Sequence, residues 1–138
     1  MAERGAVHRV SVLLPDPANP GGPLVPTDKW AVVLRGGVQT ATETNVPVVL
    51  SSTNRRTLDQ RPRPFEVDVG TADSFDTDSV IDCRWVYTLL KKDLTPATFL
   101  FYVSDQIMEV ISVALVSGLQ MFPPPPASPP LFELETGP

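Results

Sequence analysis

Short segments that alternate between apolar and polar residues, or are apolar throughout, are separated along the chain by stretches rich in proline and glycine. Residues 6–14 and 65–69 alternate, which predicts strands with one buried face. Residues 29–34 and 45–50 are apolar at nearly every position, and runs this short are typical of strands buried on both faces. Residues 79–90 and 99–103 complete a set of six predicted strands.

A single helical pattern follows the last predicted strand. Ser104 is a favourable N-cap, and Asp105 lies in the first turn, where the helix dipole favours an anion. Gly118 predicts the end of the helix. Apolar residues at helical spacing predict a core-facing stripe, formed by Ile107, Val110, Ile111, Ala114 and Leu115. A second apolar set (Met108, Val113 and Val116) predicts burial on a further side, either at a homodimer interface or within a deeply packed core.

Two segments are too rich in proline to join a sheet or a helix. Residues 15–26 contain five prolines and two glycines, which predicts a long loop. Residues 122–138 begin with a proline run, which predicts a disordered, polyproline-like tail after a domain of residues 1–121. The order of elements predicts a mostly β (α+β) fold, a small, closed SH3-like β-barrel with a C-terminal helix and a Pro-rich tail.

The composition restricts the possible functions. A length of 138 residues suits one domain, and a net charge of -5 argues against unspecific coating of nucleic acid while allowing a local basic site. With one cysteine and one histidine, the chain cannot form an internal disulfide or a Cys/His metal cluster, and we predict neither a metal nor another cofactor. Without a long apolar run or a signal-peptide pattern, we predict a cytoplasmic protein with no membrane association.

The end of the third predicted strand carries the candidate chemistry. Hydroxyl and guanidinium side chains follow the apolar run there, and such groups suit a phosphate ligand: Ser51, Ser52, Thr53, Arg55 and Arg56. Arg61 and Arg63 extend the basic cluster, in which Asp59 is the one acid. Many strands end in similar turns whose hydroxyls only bond their own backbone, so this interpretation remains an alternative to anion binding.

Six short motifs, in order, give a resemblance that spans residues 4–121. They are Arg4-Gly5 before a strand, Lys29-Trp-Ala-Val-Val-Leu34, Leu50-Ser-Ser52, Pro64-Phe-Glu-Val67, Ser79-Val-Ile-Asp-Cys83 and the helical residues 104–119. In this arrangement the chain resembles the PemK/MazF family of toxin endoribonucleases. It departs from the family in three places, since Arg84-Trp85 stands where the family has Asp-Gln, Lys29 stands where it has an arginine, and the first loop is proline-rich instead of glycine-rich.

The resemblance implies a toxin of a toxin–antitoxin system, a homodimeric and metal-independent endoribonuclease that cleaves single-stranded RNA and binds a cognate antitoxin. It implies Lys29 as the acid/base or electrostatic group, Ser51 as the hydroxyl that orients the phosphate, and His8 as a further proton-transfer group. The predicted RNA-binding residues are Ser52, Thr53, Arg55, Arg56, Arg61, Arg63 and Trp30. Trp30 and Trp85 could each stack on a base or belong to the core.

Three alternatives remain open at this point. The barrel could bind without catalysis, since Lys29 replaces the family's arginine and the Asp-Gln pair is missing. It could instead be a CcdB-like poison of a protein target such as gyrase, with its essential residues at the helix end near Gln120-Met121-Phe122. In addition, the acidic-hydrophobic residues 131–135 could fold onto the basic residues 55–63 and occlude the groove.

Overall fold

The computed structural model describes residues 3–35, 43–52, 64–75 and 79–121, with side chains described as far as residue 118. The strands are β1 (Ala6–Leu14), β2 (Val25–Val33), β3 (Asn45–Ser52), β4 (Glu66–Gly70), β5 (Ser79–Leu90) and β6 (Phe99–Tyr102), followed by the helix α1 (Asp105–Met121). Short 3-10 turns occupy Ala72–Ser74 and Lys91–Asp93. The predicted mostly β fold class with one C-terminal helix is confirmed.

The six strands form one antiparallel sheet in the order β4-β5-β3-β2-β1-β6. The sheet curls into a half-barrel. Within the described ranges β4 and β6 do not pair with each other, so the sheet is open at both edges and the closure of the predicted barrel is not observed. β2 begins at Val25, within the predicted loop, and pairs there with β1. Pro26 fits because β3 pairs with β2 only from Ala31 to Val33, which leaves Pro26 on an edge.

The sheet carries an apolar cluster on each of its faces. On the helix side, the face that α1 covers, strand residues pack with Met108, Ile111 and Ala114 of the helix and with Phe75. On the far side, the opposite face, the cluster includes Val10, Ala31, Val48, Leu50 and Leu94. Successive strand residues point to opposite faces, so residues 31–33 of β2 and 46–50 of β3, which contribute to both clusters, are apolar at every position.

The N-terminus of α1 is capped as predicted. The Ser104 hydroxyl accepts a hydrogen bond from the Ile107 N–H at 3.2 Å, and the Asp73 carboxylate accepts one from the Ser104 N–H at 2.9 Å. These bonds satisfy donors that have no partner inside the helix. Among the described residues, no helix is both long and apolar enough to cross a membrane.

The prediction that Gly118 ends the helix is wrong, because α1 continues to Met121. A Cβ atom at this position would lie 2.8 Å from the Cys83 carbonyl oxygen and 3.3 Å from the Arg84 Cα. The glycine therefore allows the helix to approach the backbone of β5 closely. The predicted core stripe also needs one correction, since Val110 is exposed while Met108 is buried.

Candidate functional site

A cavity of about 200 Å³ lies on the far side, where β2, β3 and β5 are neighbours. The residues that line it include one lysine, one aspartate, three residues that bear a hydroxyl, a tryptophan and two leucines: Lys29, Asp82, Ser51, Ser52, Tyr87, Trp85, Leu14 and Leu50. Of the predicted site residues, Lys29, Ser51 and Ser52 lie at this cavity. Asp82 and Tyr87 join them without having been predicted.

The sheet register explains how Lys29 and Ser52 meet. Ala31 of β2 pairs with Leu50 of β3 in an antiparallel register. Lys29 and Ser52 each lie two positions further along, and residues two apart in a strand share a face. Leu50 and Ala31 both belong to the far-side cluster, so Lys29 and Ser52 also lie on the far side. The register therefore directs an ammonium and a hydroxyl to one half-buried location.

Ser51 has a structural partner within the sheet. Its hydroxyl donates a hydrogen bond to the Trp30 carbonyl oxygen at 3.2 Å, and the residue is buried. By strand alternation its side chain belongs to the helix side, together with Val49. Ser51 therefore ties β3 to β2 directly beside Lys29, whereas Ser52 is the serine whose side chain shares the face of Lys29.

The structure does not bring Trp30 to the cavity. Its ring packs against Phe75 and Phe101, with centroid distances of 6.0 Å and 5.8 Å, in the helix-side cluster. Its position next to Lys29 in β2 turns the ring to the other face of the sheet. The core interpretation of this tryptophan is therefore the one that the packing supports.

His8 was predicted as a proton-transfer group, but its imidazole is completely buried and does not line the cavity. Its Nδ1 lies 2.8 Å from the Thr98 hydroxyl, and its ring meets the edge of Phe99. The segment that connects β5 to β6 covers this position, a long-range contact that the local pattern of β1 does not reveal. A buried imidazole cannot touch a substrate, so the structure argues against this assignment.

β5 contains a large bulge beside the cavity. Leu50 pairs with Asp82 and Val48 pairs with Tyr87, so a step of two residues on β3 faces a step of five on β5. The three additional residues interrupt the regular alternation in residues 83–86. Bulges redirect side chains and are frequent next to functional sites. Here the bulge brings Trp85 to the cavity between Asp82 and Tyr87, and no sequence signal marks its position.

A polar and aromatic contact network fixes the bulge. The Asp82 carboxylate accepts hydrogen bonds from the Arg84 backbone N–H at 2.9 Å and from its guanidinium at 3.0 Å. The same guanidinium lies 5.0 Å from the centre of the Phe65 ring and 5.8 Å from that of Trp85. The ion pair and both cation–π contacts therefore hold Trp85 and Asp82 in a defined arrangement.

Burial and nearby charge change the acidity of two groups here. Burial, and secondly the Asp82 carboxylate, raise the pKa of Tyr87 above its ordinary value of 10.0, while Arg84 opposes the shift. The Tyr87 phenol is therefore a protonated hydrogen-bond donor at neutral pH. Burial and the Asp82 charge also raise the pKa of the Cys83 thiol to about 12, so this thiol is not a nucleophile near neutral pH.

Several predicted residues lie outside the described ranges: Thr53, Arg55, Arg56, Arg61 and Arg63, together with the Pro-rich tail and its residues 131–135. The same is true of the side chains at the helix end that a gyrase poison would use. Among the described residues, no group of His, Cys, Asp and Glu could hold a metal ion.

Comparison with known proteins defines the fold. Neither a protein-family model nor a curated protein matches the chain. Solved structures do match. An endoribonuclease in complex with its cognate antitoxin from a Mycobacterial species is 22% identical, with 90% of this chain and 98% of the other covered and a TM-score of 0.61. The Mycobacterium tuberculosis toxin MazF-mt6 is 18% identical, with 83% and 96% of the two chains covered and a TM-score of 0.60. MazE–MazF from Deinococcus radiodurans is 13% identical, with 86% and 95% covered and a TM-score of 0.60. The chain has the fold of the MazF-type toxins, which confirms the resemblance at the level of the fold.

Proposed function

We propose that this protein is the toxin of a toxin–antitoxin system and a metal-independent endoribonuclease that cleaves single-stranded RNA. The observation that carries the proposal is the placement of Lys29, Ser52, Asp82 and Tyr87 at one cavity, with Ser51 joining β3 to β2 beside it. Two of the structural neighbours are described as an endoribonuclease and as a toxin, which supports the same activity.

In the proposed reaction, the 2′-hydroxyl of a nucleotide attacks its own phosphodiester. A bond forms between the 2′-oxygen and phosphorus, the bond from phosphorus to the 5′-oxygen breaks, and a cyclic phosphate and a 5′-hydroxyl result. Asp82 takes the proton of the attacking hydroxyl, and the Lys29 ammonium neutralises the phosphate and protonates the leaving oxygen. The hydroxyls of Ser52 and Tyr87 donate hydrogen bonds to the phosphate oxygens, while Ser51 positions β3 against β2.

The test is cleavage of a long single-stranded RNA by the purified protein in excess EDTA. We expect cutting that leaves a cyclic phosphate and that is lost in Lys29→Ala and strongly reduced in Ser52→Ala. Ser51→Ala distinguishes the role of Ser51 from that of Ser52. Loss of the hydrogen bond from Ser51 to the Trp30 carbonyl oxygen should lower the stability of the protein as well as its activity. Cutting that stops on chelation, or that survives in Lys29→Ala, would contradict the proposed mechanism.

The proposed partners are a cognate antitoxin and a second copy of the chain, and the proposed location is the cytoplasm. Two of the neighbouring structures contain a toxin with its antitoxin, which supports the first partner. The second is supported by an exposed apolar stripe on α1, since Val110, Val113 and Val116 are 52%, 68% and 56% exposed. Light scattering should give the mass of a dimer, and Val113→Asp should shift it to that of a monomer.

A second candidate function is RNA binding without cleavage. Asp82 lies in the same cavity as Lys29 and offsets part of its positive charge, and lysine lacks the bidentate geometry of the arginine that the family has at this position. RNA that is bound in the assay but remains intact would favour this function.

A further inference from the structure

We propose that the β5 bulge presents Trp85 as a stacking platform for one nucleobase of the RNA strand, next to the phosphate held at Lys29. The inference rests on the proposed function and deepens it, because it assigns a base-binding subsite and a source of sequence preference. The evidence comes from three properties of Trp85: its location, its exposure and the way in which its ring is held.

Trp85 is the tryptophan that remains accessible to a ligand. It is 36% exposed and lines the cavity together with Lys29, while Trp30 packs into the helix-side cluster. A half-exposed indole at a polar cavity is a surface on which any base can stack, because every base has an apolar π-face.

The ring is held by its neighbours before any ligand binds. The Arg84 guanidinium lies near both Phe65 and Trp85 and is paired with Asp82 at 3.0 Å. On the other side of the bulge, Gly118 lets α1 approach the backbone of Cys83 and Arg84. A platform that is already ordered loses little conformational freedom on binding, which favours affinity.

One cavity connects the ammonium with the indole. Lys29, Ser52 and Trp85 all line this cavity of about 200 Å³, so we expect a strand whose phosphate is bound at the ammonium to have a base within reach of the indole. Stacking strength differs between bases, and the larger rings of purines overlap more with an indole. Trp85 should therefore favour adenine over uracil without reading hydrogen-bond donors or acceptors.

The experiment compares binding of oligoadenylate and oligouridylate of equal length, because the two carry the same phosphate charge. In a Trp30→Phe background Trp85 is the sole tryptophan, and we expect its fluorescence to be quenched on binding, more by oligoadenylate. Trp85→Ala should weaken oligoadenylate binding about 5- to 100-fold and abolish the difference between the two strands. Trp85→Phe should retain most of the affinity for oligoadenylate and most of the difference between the two strands. Tyr102→Ala, which changes an exposed aromatic residue outside the cavity, should have no effect.

The outcomes separate this inference from the proposed function, because cleavage is measured independently. RNA that is cut as expected but leaves Trp85 fluorescence and base preference unchanged would overturn the platform and leave the nuclease intact. Quenching and an adenine preference that both depend on Trp85, without any cleavage, would support the platform and contradict the nuclease. If neither strand binds, the platform is wrong.

Discussion

The two faces of the sheet are formed by the same strands but differ in the side chains that they carry. The helix side is a continuous cluster of aliphatic and aromatic side chains, in which Trp30, Phe75 and Phe101 contact one another. The far side is equally apolar over part of its area but becomes polar at the cavity, where Lys29 and Asp82 lie. Because successive residues of a strand point to opposite faces, one strand can place a core side chain and a cavity-lining polar side chain at adjacent positions. Trp30 and Lys29 illustrate this in consecutive residues.

If the helix side provides the stability, its central aromatic residue should be the most costly to remove. Phe75 is 2% exposed and packs edge-to-face on Phe101 at 5.1 Å. Phe75→Ala should lower the free energy of unfolding by about 3–5 kcal/mol through lost burial and a residual cavity. Urea denaturation measures this value, with Leu13→Ala as the exposed control, for which a change within about 0.5 kcal/mol is expected. Equal effects at the two positions would show that the core is elsewhere.

A substitution at Gly118 shows how closely α1 packs against the bulge of β5. In Gly118→Ala the added Cβ meets the Cys83 carbonyl oxygen at 2.8 Å, and either the helix or the bulge must move. The clash should cost about 1–3 kcal/mol, which exceeds the gain of up to about 1 kcal/mol from better helix propensity. Thermal or urea unfolding gives the stability. Ser112→Ala, on the exposed side of the same helix, is the matched control, and a stabilised Gly118→Ala variant would refute the close approach.

Alkaline pH should lower the free energy of unfolding through Cys83, whose backbone Gly118 approaches. The pKa of Cys83 rises from 9.0 to about 12 in the folded state, mainly through burial. The folded protein thus binds this proton more tightly, so the contribution is complete below pH 9 and is lost as pH rises toward 12. The loss is about 1.4 kcal/mol for each pH unit in this window. Unfolding measured from pH 8 upward should show a smaller decline in Cys83→Ala, and Tyr87 adds to the decline above its ordinary pKa of 10.0. Identical pH slopes would exclude Cys83 as the cause.

The smallest expected effect on stability belongs to the far side, at Lys29. Its side chain is half-buried at the rim of a cavity, and Lys29→Ala should change the free energy of unfolding by only about 0.5 kcal/mol or less. The same variant should lose RNA cleavage. A large loss of stability would mean that Lys29 stabilises the fold. The far side would then not differ from the helix side in the way described above.

Local patterns predicted much of this fold because the physics behind them is local. The strand β5 was predicted over residues 79–90 as observed, and the Ser104 cap was predicted because its hydroxyl bonds within the same helical turn. The pairing of Lys29 with the serines of β3 followed from the resemblance. Its geometry, with Ser52 on the face of Lys29 and Ser51 bonded to the backbone, required the register.

The parts that sequence reasoning missed depend on contacts between distant segments. The burial of His8 results from the segment that follows β5, and the role of Gly118 results from its distance to Cys83. The bulge of β5 is defined only by comparison with the partner strand, so neither Asp82 nor Tyr87 could be assigned to the site beforehand. A register is a property of two strands, and no periodicity within one of them contains it.

The bulge has a consequence for how this protein could diversify. Both of its ends are held by backbone contacts, since Asp82 and Tyr87 pair with β3 and the Cys83 N–H donates a hydrogen bond to the Phe65 carbonyl oxygen. We therefore expect substitutions at residues 85 and 86 to leave the pairing of β5 with β3 unchanged. A different side chain at position 85 would then change the surface that the cavity offers to a ligand, while the strands around the bulge kept their pairing.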